Sequence, residues 1–232
     1  MLVARRHPQR IVQALTSGLA AVIVFAIVGL IGFVMASDAR RDRAARAAGR
    51  TAAVDRLASR ATDPAPLTVG EVFPGVRIHP APGARAYPVG ATDRSTDCRS
   101  AAVGRLGVVL ADYGCSQVVR AAVIAPYGRY RVTAGVFNLP SETATVRAGA
   151  QTRRLVESGQ GTFAPLTSLT GRRPGERPLA QVGWRERGHY LVYCVISRPD
   201  GTVVRDDDPD AERITVDLVE SYLSGQVLGR RA

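Results

Sequence analysis

Hydrophobic and polar positions fall into three regimes along this chain. Residues 11–36 form an apolar run without a single charged side chain. At ~1.5 Å of rise per residue, a helix of that length crosses a hydrocarbon core of ~30 Å with some tilt. The run exceeds the ~7–15 residues of a signal-peptide core, and Met35, Ala36 and Ser37 make a poor cleavage site, so the pattern predicts an uncleaved single-pass anchor. Residues 37–60 are rich in Ala and Arg, both strong helix formers, and predict a helical stalk. Residues 61–96 are dense in Pro and Gly and read as a linker; only Leu67, Val69, Val72 and Phe73 suggest a short strand, over 67–73.

The third regime, 97–228, carries the periodicities of a folded domain. Val103, Leu106 and Leu110 recur at helical spacing and Gly114 follows as a stop, predicting a helix over 97–113. Strands are expected at 116–125 and 130–139, joined by a turn at Pro126, Tyr127 and Gly128. In the second, Val132, Ala134 and Val136 alternate with Arg131, Thr133 and Gly135, the pattern of a half-buried strand. Ser141 is a good N-cap for a helix to Ser158, with Ala144, Ala148 and Leu155 on its apolar face. Further on, 179–187 and 189–198 read as a hairpin around Gly188, and the second strand is apolar on both faces, which predicts a central position. Ala211, Ile214, Leu218 and Tyr222 make one stripe of a closing helix over 208–228. The order α-β-β-α-β-β-α predicts an α+β domain with a four- or five-stranded antiparallel sheet packed by helices, for which a ferredoxin-like topology is one arrangement.

Candidate chemistry is sparse. If Cys98 and Cys115 sit at opposite ends of a helix they are ~22 Å apart at ~1.5 Å per residue, too far for a disulfide, and a bridge must then involve Cys194. Cys194 in mid-strand reads as a small buried residue. His7, His79 and His189 have no partner at a catalytic or ligand spacing; His189 reads as a partly exposed turn histidine, with a general base as the sharper alternative. There is no CxxC, HExxH, GxSxG or phosphate-binding glycine loop, and Gly159, Gly161 and Ala164 match GxGxxA only after a helix and before Pro165, the wrong context. Asp206, Asp207, Asp208 and Asp210 read as the cap of the last helix rather than a calcium loop, since Arg213 and Val219 occupy the positions that need Gly and Glu. Trp184, Tyr190 and Tyr193 are read as core or cross-strand pairs, with pocket lining as the alternative. No catalytic, cofactor or metal residue is assigned, and no cofactor is expected.

Charge changes the picture in one respect. All 31 basic side chains are arginine and the net charge is +11, but +7 of it lies on residues 1–60 and only +4 on residues 61–232. Arg5, Arg6, Arg10, Arg40, Arg41 and Arg43 therefore form a collar for anionic headgroups around the anchor, rather than a nucleic-acid surface. Basic residues are more numerous after the span than before it, which by the positive-inside rule puts the C-terminal side in the cytoplasm. Three cysteines and a folded domain following an N-terminal anchor point outward, and the expectation is a domain outside the cell membrane.

The anchor, the Arg/Ala stalk and the stretches LTVGEVFPGV, GCSQVVRAAVIAPYGRYRVTAGVFNLP and GHYLVYCVISRPDG resemble a group of uncharacterised actinobacterial single-pass membrane proteins. The likeness spans most of residues 67–224 and implies an exported α+β domain, without bringing a catalytic residue or ligand. In architecture alone the chain is similar to the extracytoplasmic sensor domains of actinobacterial receptor kinases, but it carries no kinase domain. The expected function is a membrane-anchored extracytoplasmic interaction or ligand-binding module with an envelope protein partner; an envelope hydrolase and a cytoplasmic-face regulator are the alternatives.

Overall fold

Val118, Val119, Val123, Val132, Val136, Val192, Val195 and Ile196 are β-prone and all buried, and they lie on the central strands of one antiparallel sheet. The computed structural model describes residues 56–128, 130–166 and 180–232. In chain order the elements are a helical turn α1 (Val69–Val72), strands β1 (Arg77–Ile78), β2 (Tyr87–Ser95) and β3 (Ala102–Gly104), helix α2 (Leu106–Asp112), strands β4 (Gln117–Ile124) and β5 (Arg131–Asn138), helix α3 (Glu142–Glu157), strands β6 (Gly161–Phe163), β7 (Gln181–Arg187) and β8 (Tyr190–Ser197), and helix α4 (Pro209–Thr215). From Val216 to Val227 the last helix continues in wider, π-type turns, closed by the Leu228 N–H on the Leu223 carbonyl.

Six strands form a curled sheet in the order β1-β2-β4-β5-β8-β7, and β3 pairs with β6 in a separate ribbon. Every neighbour is antiparallel. Hairpins lie side by side rather than interleaved, so the topology is not ferredoxin-like. Each face of the sheet has its own core. On one face Val119, Ala121, Val132, Val136, Val192 and Ile196 meet Ile214, Leu218, Leu223 and Val227 of the closing helix. On the other, Val118, Phe137, Leu191, Tyr193 and Val195 meet Leu106, Leu110, Ala148, Leu155 and Phe163 of α2, α3 and β6. With a layer on both sides, β5 is buried along almost its whole length rather than half-buried, and β8 takes the expected central position.

Expectations along residues 57–113 are corrected as well. The helix over 97–113 begins only at Leu106: Asp97 caps a 3-10 turn at Cys98–Ala101 and Ala102–Gly104 is strand. Val103, counted in the helical stripe, pairs with Thr162 and is 39% exposed. Because the chain folds back before a short helix, Cys98 and Cys115 come within 6.3 Å (Cα to Cα) and are joined in a disulfide. The second correction is at 67–73: the Thr68 hydroxyl accepts from the Glu71 N–H at 3.1 Å, and this local cap makes a helical turn where a strand was expected.

Third, the Pro/Gly-rich stretch 61–96 is not a bare connection. It supplies Leu67, Val72, Phe73, Ile78 and Tyr87 to the core and carries the nine-residue strand β2. Residues 57–60 of the expected stalk are not helical but dock on the domain: Leu57 is buried and its carbonyl accepts from the His189 N–H at 2.7 Å, and Ser59 bridges Ser141. Residues 1–55, with the predicted anchor at 11–36 and most of the stalk, lie outside the described residues. Among the described residues no helix is long and apolar enough to cross a membrane.

Candidate ligand-binding face

Strand register builds the most unusual row of side chains in the molecule. Asp93, Arg120, Gly135, Tyr193 and Trp184 lie directly opposite one another across β2, β4, β5, β8 and β7, and so share one face of the sheet. Arg120 is 7% exposed. Its Nε donates to Asp93 Oδ2 at 2.8 Å, while its Nη1 finds no acceptor among the described residues. The Tyr193 hydroxyl, in the same row, has no hydrogen-bond partner among them either. Burial raises the Tyr193 phenol well above its ordinary range, so it stays protonated. Gly135 makes the row possible: a Cβ there would meet the Tyr193 ring at 2.7 Å and Arg120 Cβ at 2.8 Å.

The two halves of this face are finished differently. Toward α3, the Tyr193 ring stacks on Phe137 and Phe163, at 4.9 and 4.6 Å between centroids, and Phe163 meets Trp184. Toward the β4–β5 turn, the next row is Ala122, Thr133 and Val195, and after it Ile124, Arg131 and Ser197. A cavity of about 330 Å³ opens over these rows, walled by Gly90 and Ala91 on one side and by Pro165 and Leu166 on the other. Gly90 and Ala91 fall where β2 bulges, between Val89 and Thr92, and swings away from β4. The Leu166 N–H donates to Thr133 Oγ1 at 2.7 Å and holds the opposite wall. Ile124, at the mouth, is 57% exposed.

Other polar clusters serve the fold. The Arg231 guanidinium binds both oxygens of Glu71 and, at 2.8 Å, Asp63 Oδ1; the Tyr190 hydroxyl donates to Asp63 Oδ2 at 2.6 Å. The hydrogen bonds from Arg231 hold the Glu71 carboxyl below the usual carboxylate range. Tyr87 and Tyr127 both donate to Asp217. Asp208 accepts from the Asp210 and Ala211 N–H groups as the expected cap of α4, and also from Tyr130 and Arg198. Among the described residues no three His, Cys, Asp or Glu are grouped to hold a metal.

His189 is not a partly exposed turn residue. It is 0% exposed beneath Leu57, and neither ring nitrogen has a hydrogen-bond partner among the described residues. Burial outweighs the nearby Asp63 carboxylate and lowers its pKa to about 4. Cys194 is the buried small residue expected of it, its thiol pushed up to about 11 by burial. Of the three aromatics singled out, Trp184 and Tyr193 are cross-strand neighbours in the aromatic cluster, whereas Tyr190 faces the opposite core. Arg120 and Asp93 were not anticipated; the available signal was an arginine inside the apolar strand QVVRAAVI. Searches against protein-family models, curated proteins and solved structures find no match to this chain.

Proposed function

We propose that the protein is a membrane-tethered extracytoplasmic module whose folded domain binds a ligand or an envelope protein. The Cys98–Cys115 disulfide carries this reading. Cytoplasmic thiols are kept reduced, whereas structural disulfides persist outside the cytoplasm. A cross-link inside the fold therefore favours the outside for the domain, against the arginine count that favours the inside. In this reading residues 1–10 are a cytoplasmic tail, residues 11–36 the anchor in the bilayer, and Arg5, Arg6, Arg10, Arg40, Arg41 and Arg43 its contacts with anionic headgroups.

Binding is favoured over hydrolysis because His189, the base singled out by the sequence, is sealed from solvent, while the sheet face offers an open cavity of small-molecule size. Reporter fusions after residue 60 and at the C-terminus test the orientation. An export-dependent phosphatase is expected to be active at both sites and a cytoplasmic reporter silent; the reverse pattern would replace this reading with a cytoplasmic-face regulator.

A further inference from the structure

We propose that residues 57–60 are an acid-sensitive strap: protonation of His189 favours a state in which Leu57 has left the domain while the sheet beneath stays paired. The strap is held by few contacts. The Leu57 carbonyl accepts from the His189 N–H at 2.7 Å, the Ala58 carbonyl accepts from the Glu142 N–H at 2.8 Å, and the Arg60 N–H donates to the Pro140 carbonyl at 3.0 Å. The Arg60 side chain adds the Gly114 carbonyl at 2.9 Å and Asn138 Oδ1 at 3.3 Å. Leu57 is the only fully buried residue of the four. Its three backbone bonds end at the start of α3 and at the β7–β8 turn, so they can break without opening a ladder of the sheet.

Beneath Leu57 the His189 ring is shut off from water, and neither nitrogen has a hydrogen-bond partner among the described residues. An imidazolium carries a charge and two N–H donors, so it loses far more than the neutral ring does from such a site. The groups around it do not supply what it lacks. Asp63 Oδ2 lies 3.5 Å from Nε2 but already accepts from the Tyr190 hydroxyl, and Asp63 Oδ1 accepts from Arg231. Burial, reinforced by the charges of Arg60 and Arg231, outweighs Asp63 and disfavours the cation. Tyr190 packs edge-on against the ring at 3.9 Å between centroids, and burial keeps its phenol protonated. Beside Leu57 and Gly188, Glu142, Arg185, Glu186 and Arg187 line a cavity of about 120 Å³ and balance in charge. Lifting Leu57 admits water to the ring, and water supplies the missing acceptors. The device is independent of which side of a membrane the domain faces.

Residue-resolved hydrogen exchange on the full chain held in amphipol, corrected for the intrinsic pH dependence of exchange, reads the strap directly. At pH 7 the His189 and Glu142 N–H groups, both donated to the strap, are expected to be roughly tenfold or more less protected than the N–H groups in the middle of β5, because they exchange through a local opening. Between pH 7 and pH 5 they are expected to lose about twentyfold in protection, the ratio set by a ring whose pKa is 6.5 in water and about 4 under the strap. His189→Phe is expected to keep the gap to β5 and remove the loss on acidification. Leu57→Ala thins the cover without touching the ring, and is expected to widen the gap at pH 7 and to shrink the loss on acidification. Strap N–H groups as protected as those of β5, no loss of protection between pH 7 and pH 5, or a loss that survives His189→Phe would each overturn the proposal.

Discussion

His189 stands out among the individual residues as a titratable ring enclosed without a hydrogen-bond partner among the described residues. Its pKa falls from an ordinary 6.5 to about 4 on folding, because burial penalises the imidazolium. Below pH 6.5 the unfolded chain takes up a proton that the folded chain refuses, so stability is full above that pH and declines toward pH 4, by about 3 kcal/mol in all. Urea unfolding at pH 7 and at pH 4.8 is expected to show most of this loss, and His189→Phe to remove the difference. An equally steep decline in the variant would place the titration elsewhere. Gly188, just before it, has φ of 56°, and a Cβ there would collide with the Leu57 carbonyl. The tight turn and the sealing of the histidine therefore depend on the same small residue.

Among the elements, α2 depends most on a covalent tie. The disulfide closes a loop between Cys98 and Cys115, seventeen residues apart in sequence, and the seven-residue helix inside it is too short to persist alone. A loop of this size is worth about 3 kcal/mol in chain entropy. Replacing both cysteines with serine is expected to lower unfolding stability by about that amount, and reduction of the unsubstituted chain to do the same; a change below about 1 kcal/mol by either route would mean the tie is idle. The same region shows where sequence patterning loses its hold. Hairpins β4–β5 and β7–β8, the Ser141 cap and the closing helix were legible because dense apolar strands, a turn at Gly188 and an amphipathic stripe are dictated locally. Strand β2 was not: Pro88 and Gly90 interrupt it and most of its side chains face solvent, so no alternation marks it. The helix over 97–113 failed for the opposite reason, since Leu106 and Leu110 are core residues but Val103 repeats their spacing by accident in a strand. Arg120 was hidden as a site residue because Asp93, its partner, lies 27 positions away on that unmarked strand.

For the folded domain as a whole, Arg231 joins regions far apart in the chain. It is half-buried against Asp63 and Glu71, 168 and 160 residues earlier, and donates as well to the Ala65 and Pro66 carbonyls. Removing one member of such a half-buried ion cluster leaves charge unpaired, which costs about 1–3 kcal/mol, less than for a fully buried pair because solvent screens part of it. Arg231→Met is expected to fall in that range by urea unfolding. Glu71→Gln added to a chain that already carries Arg231→Met is expected to cost far less than Glu71→Gln alone, the coupling that a double-mutant cycle reads. Additive losses would show that the clasp is not one unit.

That clasp also sets an order of events during synthesis. A chain delivered from its N-terminal end, at a ribosome or through a translocation pore, presents Asp63, Glu71 and the strand β2 long before Arg231 and the closing helix exist to receive them. Much of one face of the sheet, including Val132 and Val192, stays without the closing helix as its cover until that helix arrives. Docking of that helix is thus the step that commits the domain, and until then its long-range pairings remain open to wrong partners. A chaperone acting on this protein has its work between the emergence of β8 and the seating of Arg231.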